Sequence, residues 1–250
     1  MKKPTSPQKK PESSGLTRAG VQAPETLVSV VRASFETPPE EWRPPDPDSP
    51  RGRILGAARA LFAERGLAAA STRAIADEAA VNLAMIHYYY GSKERLYERV
   101  LGLELAGLLR TVAGQIPRDV ALEELLILLP TRIMTVVREN AVWTALFRRE
   151  IAGGAQHLRA ALQGLGDYGP LGISALFDEG YAQAVAEGRV NDLPARTVRE
   201  LLIAVGYSVA FFGPLFSVID GRDFNQEGVW QEWIETVSTV LRKGLIRQEA

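Results

Sequence analysis

Four helix-start signals between residues 49 and 92 constrain the fold of this chain more than any other feature. Ser49 precedes Pro50, which combines an N-cap residue with proline at the first helical position. Thr72, Asn82 and Ser92 are further candidate N-caps, and each precedes another helical segment. Helices this close in sequence have to pack on one another to bury their apolar faces. The segment therefore predicts a compact helical module.

The first predicted helix carries its apolar side chains at the spacing of one buried stripe. These are Ile54, Ala57, Ala58, Leu61 and Phe62. We expect Gly66 to end this helix and a short second helix to cover residues 73–79. The third helix begins after Asn82 and is followed by Gly91, which suits a left-handed C-terminal position. Two short helices joined by a tight turn and packed on a longer one form a helix-turn-helix arrangement.

The exposed face of the third helix is predicted to carry Leu83, Ala84, His87 and Tyr88. None of these side chains is acidic, and hydroxyl and imidazole donors are suitable phosphate partners. The three consecutive tyrosines at 88–90 cannot all face one side of a helix, so we assign Tyr90 to the core. For His87 a surface or capping role without DNA contact stays an alternative.

These residues carry a resemblance to a known family. The stretch TRAIA at 72–76 and the stretch VNLAMIHYYYGSKERLY at 81–97 look like the DNA-binding signature of TetR-type transcriptional regulators. Upstream, Ala58, Phe62 and Gly66 match the same pattern at the same spacing. The resemblance covers about 50 residues. The rest of the chain resembles the family only in length and helicity.

The resemblance implies a set of DNA-binding positions. Thr72 and Arg73 would hold phosphate at the start of the second helix, and Lys93 would do so at the start of the fourth. Tyr88 matches the family's usual phosphate-contacting tyrosine. The complete predicted set is Thr72, Arg73, Asn82, Leu83, Ala84, His87, Tyr88 and Lys93. Because Leu83 is apolar, we expect thymine-methyl contacts or shape readout rather than an arginine–guanine pair.

Charge is distributed unevenly along the chain. The total of 29 Lys+Arg against 30 Asp+Glu gives a net charge of −1. Residues 51–100 hold eight basic and five acidic residues, a net of +3, whereas residues 101–250 have a net of −4. A duplex would meet only the basic module, so the near-neutral total does not argue against DNA.

The chain contains no cysteine and only two histidines, His87 and His157. These counts exclude a disulfide scaffold, a thiol nucleophile, a cysteine metal site and any site built on several histidines. No set of nucleophile, base and orienting residue is visible. We therefore predict no catalytic residue, no metal and no cofactor, and binding rather than catalysis as the activity.

Proline marks the first domain boundary. Residues 1–50 hold 10 of the 15 prolines, which predicts a disordered proline-rich tail over residues 1–47. Its lysines would form either a basic arm that touches DNA or a solvated tail, and residues 26–35 could form a short helix or strand. The helix-turn-helix DNA-binding domain covers residues 48–97, and a helical ligand-binding and dimerisation domain covers 98–250.

Helical periodicity dominates the second half, so the predicted fold class is all-α. The predicted helices are 101–113, 120–138, 142–152, 173–186, 197–219 and 228–246. The motif G-x-G-x-x-G at 164–169 follows a helical pattern rather than a strand, so it does not predict a dinucleotide site.

The run of 19 residues at 201–219 contains no charge. This is close to the length that spans a bilayer, but no second span accompanies it, and buried or interface helices are equally apolar. The resemblance places this run in a homodimer interface formed by the last two helices. On the last helix, Trp230, Trp233, Val237, Val240 and Leu241 would supply the other half.

Several side chains on different predicted helices are candidates for a small-molecule pocket. They are Met134, Trp143, Phe147, Arg148, Phe177, Tyr181 and Phe211. The alternative for each is an ordinary position in the core of a helix bundle.

The sequence therefore predicts a cytoplasmic, homodimeric regulator whose partners are double-stranded DNA and a small, largely apolar effector. The favoured interpretation is a repressor that the effector releases from a palindromic operator by shifting the population of dimers. An activator of the same fold is one alternative. A helical enzyme or carrier that does not use its helix-turn-helix is another.

Overall fold

A computed structural model describes residues 40–166 and 170–247. Within these residues the chain forms one short 3-10 helix, Glu40–Trp42, and ten α-helices. The α-helices are α1 (Pro50–Ala69), α2 (Thr72–Glu78), α3 (Leu83–Tyr90), α4 (Lys93–Gly114), α5 (Leu122–Glu139), α6 (Ala141–Ala152), α7 (Gln156–Leu165), α8 (Pro170–Ala186), α9 (Ala195–Asp220) and α10 (Glu227–Leu245). The described part contains no strand beyond one isolated bridge between Val190 and Ile246. The predicted all-α fold is confirmed.

Helices α1–α3 and the first half of α4 pack around one core, which we call the head domain. Its central side chains are fully buried: Ile54, Ala58, Phe62, Ile75, Ile86 and Leu96. Three predicted N-caps are confirmed by hydrogen bonds from backbone amides. Ser49 Oγ accepts from Gly52 at 3.0 Å, Asn82 Oδ1 from Ala84 at 2.9 Å, and Ser92 Oγ from Arg95 at 3.2 Å.

Two helix ends differ from the prediction. Ser71, not Thr72, caps α2, because Ser71 has extended backbone geometry and its Oγ accepts from Ala74 N at 3.1 Å. Thr72 is already the first helical residue. Gly66 interrupts α1 rather than ending it, with φ 79° and ψ 168°, a conformation open only to glycine, and a short helical stretch continues to Ala69.

The predicted tail boundary at residue 47 has to move toward the N-terminus. Trp42 is only 8% exposed and belongs to the core that α4, α5 and α7 share. Its Nε1 donates to the carbonyl of Gly164 at 3.2 Å, and its ring lies so close to Gly102 that a Cβ there would overlap it. The guanidinium of Arg99 stands 4.6 Å from the ring centroid. Residues 1–39, with the segment 26–35, lie outside the described residues.

The rest of α4 and helices α5–α10 form the second domain, which we call the sensor domain after the ligand binding that the sequence predicts for it. The long helix α4 runs without a break from the head into this domain, so it is the covalent link between the two. Helix α7 was absent from the predicted helices, although Leu158, Ala161 and Leu165 have helical spacing and are buried. The glycine motif begins at the end of α7, so a helix precedes it; residues 167–169 are outside the described ranges.

Helix α9 is long and apolar enough to cross a membrane by length and composition alone. It packs lengthwise on α5, with Leu202 fully buried against that side. Helices that pack inside a protein pass the same test, so this single helix is weak evidence for a span.

Candidate functional site

The outer face of α3 is the most exposed apolar and aromatic surface of the head domain. Tyr88 is 79% exposed and Leu83 41%, and Ala84 and His87 are exposed beside them. Ile86, on the opposite side, is fully buried and holds α3 against the core. The four predicted side chains therefore share one solvent-facing surface, and none of them is acidic.

Two of the predicted DNA-binding residues, Asn82 and His87, already have hydrogen-bond partners inside the chain. The side-chain oxygen of Asn82 is occupied by the N-cap hydrogen bond from Ala84. His87 Nδ1 lies 2.9 Å from the carbonyl of Gly91, so the ring also caps the end of α3. This leaves His87 Nε2 as the ring nitrogen that can meet a partner outside the chain.

The two predicted basic residues near α3, Arg73 and Lys93, differ in how far their side chains are held by the rest of the chain. Arg73 is exposed at the start of α2, next to the half-buried Thr72. Lys93 Nζ donates to the carbonyl of Leu67 at 2.8 Å and thereby ties α4 to the end of α1. An ammonium has three donors, so a phosphate contact of Lys93 stays a prediction alongside this structural role.

Arg53 supports the turn before α3 and was missed by sequence reasoning. Its Nε donates to the carbonyl of Ala79 at 3.1 Å and its Nη1 to that of Asp48 at 2.7 Å. The first turn of α1 is thus fastened to the turn that sets the angle between α2 and α3. In the sequence this arginine looks like any exposed basic residue of an amphipathic helix.

The head and sensor domains also meet at the end of α6. Arg149 Nη2 donates to the carbonyl of Glu64 in α1 at 2.8 Å. The neighbouring Glu150 is buried and accepts from the backbone of Leu158 at 2.9 Å. Burial, together with the adjacent Glu150 carboxylate, raises the pKa of the Tyr97 phenol on α4. The joint between domains is therefore a packed, hydrogen-bonded contact and not only the helix α4.

A cavity of about 430 Å³ opens between α5, α6, α9 and the loop that precedes α10. Met134 and Arg148, two of the predicted pocket residues, line it. Its other walls come from Val137, Arg138, Ala141, Thr144, Ala145, Val209, Ala210, Gly213, Pro214, Ser217, Arg222, Asp223, Phe224 and Asn225. The volume lies within the range of small-molecule sites.

Three further predicted pocket residues, Trp143, Phe147 and Phe211, form an aromatic cluster beside the cavity. Phe147 stacks on Trp143 with centroids 5.2 Å apart and meets Phe211 edge-on at 5.7 Å. Tyr207, which sequence reasoning missed, completes the cluster: its hydroxyl accepts from Trp143 Nε1 at 3.1 Å. Burial raises the pKa of the Tyr207 phenol.

The last two predicted pocket residues, Phe177 and Tyr181, lie elsewhere. Both are buried in a separate core of α5, α8, α9 and α10, where Tyr181 Oη donates to the carbonyl of Asn191 at 2.9 Å. Neither side chain lines the cavity at Arg148. The structure therefore does not bring the seven predicted residues into one site.

Apolar side chains remain exposed along α9 and α10. They are Leu201, Ile203, Phe212, Leu215, Val218, Ile219 and Val240. Of the residues expected to extend this surface on the last helix, Trp230 and Leu241 are buried inside the chain itself, because they face α5. Exposed apolar patches of this kind mark interfaces.

Sequence comparison relates the head domain to known proteins. The model of the bacterial regulatory proteins of the tetR family matches residues 54–100. The chain is 45% identical over 56 residues to the transcriptional repressor SCO4008 of Streptomyces coelicolor. It is 41% identical over 54 residues to the transcriptional repressor KstR2 of Mycobacterium tuberculosis. Each match covers 22% of this chain, and 29% and 27% of the two repressors, so it spans less than a third of either relative.

Solved structures resemble the fold over most of the chain. The SCO4942 protein of Streptomyces coelicolor aligns with a TM-score of 0.60 at 18% identity, covering 80% of this chain and 100% of that one. The ketosteroid transcriptional regulator KstR2 of Mycobacterium tuberculosis aligns with a TM-score of 0.57 at 20% identity, covering 80% and 97%. At these identities the likeness establishes the fold alone.

The head domain is thus similar in sequence to the tetR family over residues 54–100, and the fold resembles that of KstR2 over 80% of the chain.

Proposed function

We propose that this protein is a dimeric transcriptional repressor that binds DNA through α3 and leaves it when a small effector occupies the sensor domain. The observation that carries the proposal is the outer face of α3, where Leu83, His87 and Tyr88 are exposed without a carboxylate among them. The relatives that match the head are named repressors, which supports this direction of regulation over activation.

Dimerisation is supported by the exposed apolar side chains of α9. Leu215, Val218 and Ile219 are at least half exposed, and a second copy of the same helices would bury them. A twofold dimer presents two α3 helices about one turn of DNA apart, which suits a palindromic operator in the cytoplasm. A pairing surface also accounts for the apolar character of α9 without a bilayer.

The proposal is tested by selecting bound sequences from a random DNA pool with the full chain. We expect palindromic sites, whose symmetry tests dimerisation in the same experiment. Tyr88→Ala and Arg73→Ala should each weaken binding to the selected site roughly tenfold, and Arg73→Ala should lower the salt slope by about 1. Both positions are exposed, so these variants test DNA contact rather than folding.

Lys243→Ala is the matched control, because it removes an exposed positive charge at the far end of α10. Lys93→Ala is less informative, since losing its bond to Leu67 also alters the head itself. If no sequence is enriched, or if both test variants bind like the wild type, the proposal fails and the helical enzyme or carrier becomes the better candidate. Transcription from a promoter carrying the selected site separates a repressor from an activator.

A further inference from the structure

A proline in α9 leaves a backbone carbonyl that a side chain of α6 occupies. Pro214 has no N–H, so the carbonyl of Ala210, one turn earlier, cannot accept its usual helical hydrogen bond. Arg148 donates to this oxygen through both Nε and Nη2, with a distance of 2.6 Å from Nε. Helix α6 is thereby clamped to α9 at the wall of the 430 Å³ cavity.

Arg148 also differs from the other arginines of this wall in its charge balance. Arg222 is paired with Glu232 at 3.0 Å, and Arg138 lies 3.9 Å from Glu227. Within residues 40–166 and 170–247, no carboxylate forms an ion pair with Arg148. Its guanidinium therefore faces the cavity with a neutral carbonyl as its partner.

The remaining lining is mostly apolar. The apolar members are Met134, Val137, Ala141, Ala145, Val209, Ala210, Gly213, Pro214 and Phe224. The acidic member, Asp223, accepts hydrogen bonds from Asn225 N and Nδ2, both at 2.9 Å. The wall thus combines apolar surface with three guanidinium groups and one carboxylate, a combination that suits an apolar body carrying one negative charge.

We propose that the effector is a small amphipathic carboxylic acid whose carboxylate takes the place of the Ala210 carbonyl on Arg148. This inference rests on the proposed function and names the ligand class of its sensor site. A carboxylate offers two oxygens to the fork of the guanidinium, where the carbonyl offers one. An ion pair between the carboxylate and Arg148 thereby replaces a hydrogen bond between the charged guanidinium and the neutral carbonyl of Ala210.

The position of Arg148 gives this exchange a consequence for the head domain. The next residue, Arg149, holds the carbonyl of Glu64 in α1 at 2.8 Å. Releasing Arg148 from Ala210 removes one of the contacts between α6 and α9, on the turn that contacts α1, while the contacts of Trp143 and Phe147 with α9 remain. The carboxylate would thus change the contact between α6 and the head, and with it the spacing of the two α3 helices.

The test measures binding to the purified full chain by calorimetry with two pairs of ligands: octanoate and octanol, and phenylbutyrate and phenylbutanol. At least one acid should bind roughly tenfold more tightly than its alcohol. Arg148→Gln should abolish that preference, so that the acid and its alcohol bind with similar affinity. Arg159→Gln, an exposed arginine of α7 outside the cavity, should behave like the wild type.

The inference is overturned if neither acid is preferred over its alcohol, or if Arg148→Gln keeps the preference. Binding to the selected operator is measured on the same samples. A wild-type protein that binds the operator without preferring acids contradicts this inference alone, whereas one that prefers acids but selects no DNA contradicts the proposed function. Release of the operator by the preferred acid, lost in Arg148→Gln, is the expected joint result.

Discussion

The head and sensor domains reach their structures through contacts of different range. In the head, the side chains of Ser49, Ser71, Asn82 and Ser92 each cap a helix by accepting a hydrogen bond from an amide two or three residues ahead. In the sensor, helices α5, α7, α9 and α10 begin without any side-chain cap. Their positions depend on contacts between distant residues.

Two of these long-range contacts show the contrast. Trp143 and Tyr207 are 64 residues apart and share a hydrogen bond, and Arg148 reaches the carbonyl of Ala210 across 62 residues. A locally specified head can keep its shape while the domain attached to it changes. A sensor domain held by distant pairs can be altered at the cavity without changing the outer face of α3.

Trp42 is a long-range contact that belongs to neither domain's helices. It lies before α1 in the chain and packs against α4 and α7. Trp42→Ala should lower the free energy of unfolding by about 3–5 kcal/mol, since it empties a nearly buried indole site. Urea denaturation of the full chain measures the change. Trp42→Phe is the control: it keeps most of the packing, loses the bond to Gly164 and should cost much less. Equal midpoints for wild type and Trp42→Ala would show that this docking contributes nothing.

The same difference in range explains what the sequence could predict of the fold. Three of the four head caps and the exposed face of α3 follow from local patterns. The docking of Trp42 does not, because Trp42 is buried only where Gly102 and Gly164 leave room for its ring. No pattern near residue 42 reports two glycines that lie more than 50 residues away.

The candidate sites also divide into residues that local patterns predict and residues whose roles depend on distant contacts. The exposure of Leu83 and Tyr88 was predictable from helical periodicity, whereas the role of Arg148 depends on Pro214 in another helix. Phe177 and Tyr181 have the residue types of a pocket, but packing places them in a different core. Residue type alone cannot tell a cavity wall from a filled interior.

The loss of a single helix cap in the head domain should have a smaller effect on stability. Ser71→Ala should cost about 1 kcal/mol of stability, because the amide of Ala74 loses its acceptor at the start of α2. Thr72→Ala is the neighbouring control and should cost less, since Thr72 makes no N-cap bond. Hydrogen exchange at Ala74 measures both variants. Faster exchange in Thr72→Ala than in Ser71→Ala would reverse the assignment of the cap.

The smallest expected effect concerns the hydrogen-bonded pair Trp143–Tyr207. It changes the free energy of unfolding only at alkaline pH. Burial raises the pKa of the Tyr207 phenol in the folded chain, whereas an unfolded tyrosine ionises near pH 10. Below pH 10 the phenol is neutral in both states, and above it the unfolded chain gains by losing the proton. The stability that Tyr207 contributes should therefore fall as pH rises, by about 0.8 kcal/mol half a unit above pH 10.

The free energies of unfolding of wild type and Tyr207→Phe, measured by urea titration, should differ by a constant amount from pH 7 to 9 and converge above pH 10. Curves that stay parallel into alkali would mean that water reaches this phenol, and that the Trp143–Tyr207 pair is not a buried contact of the sensor domain.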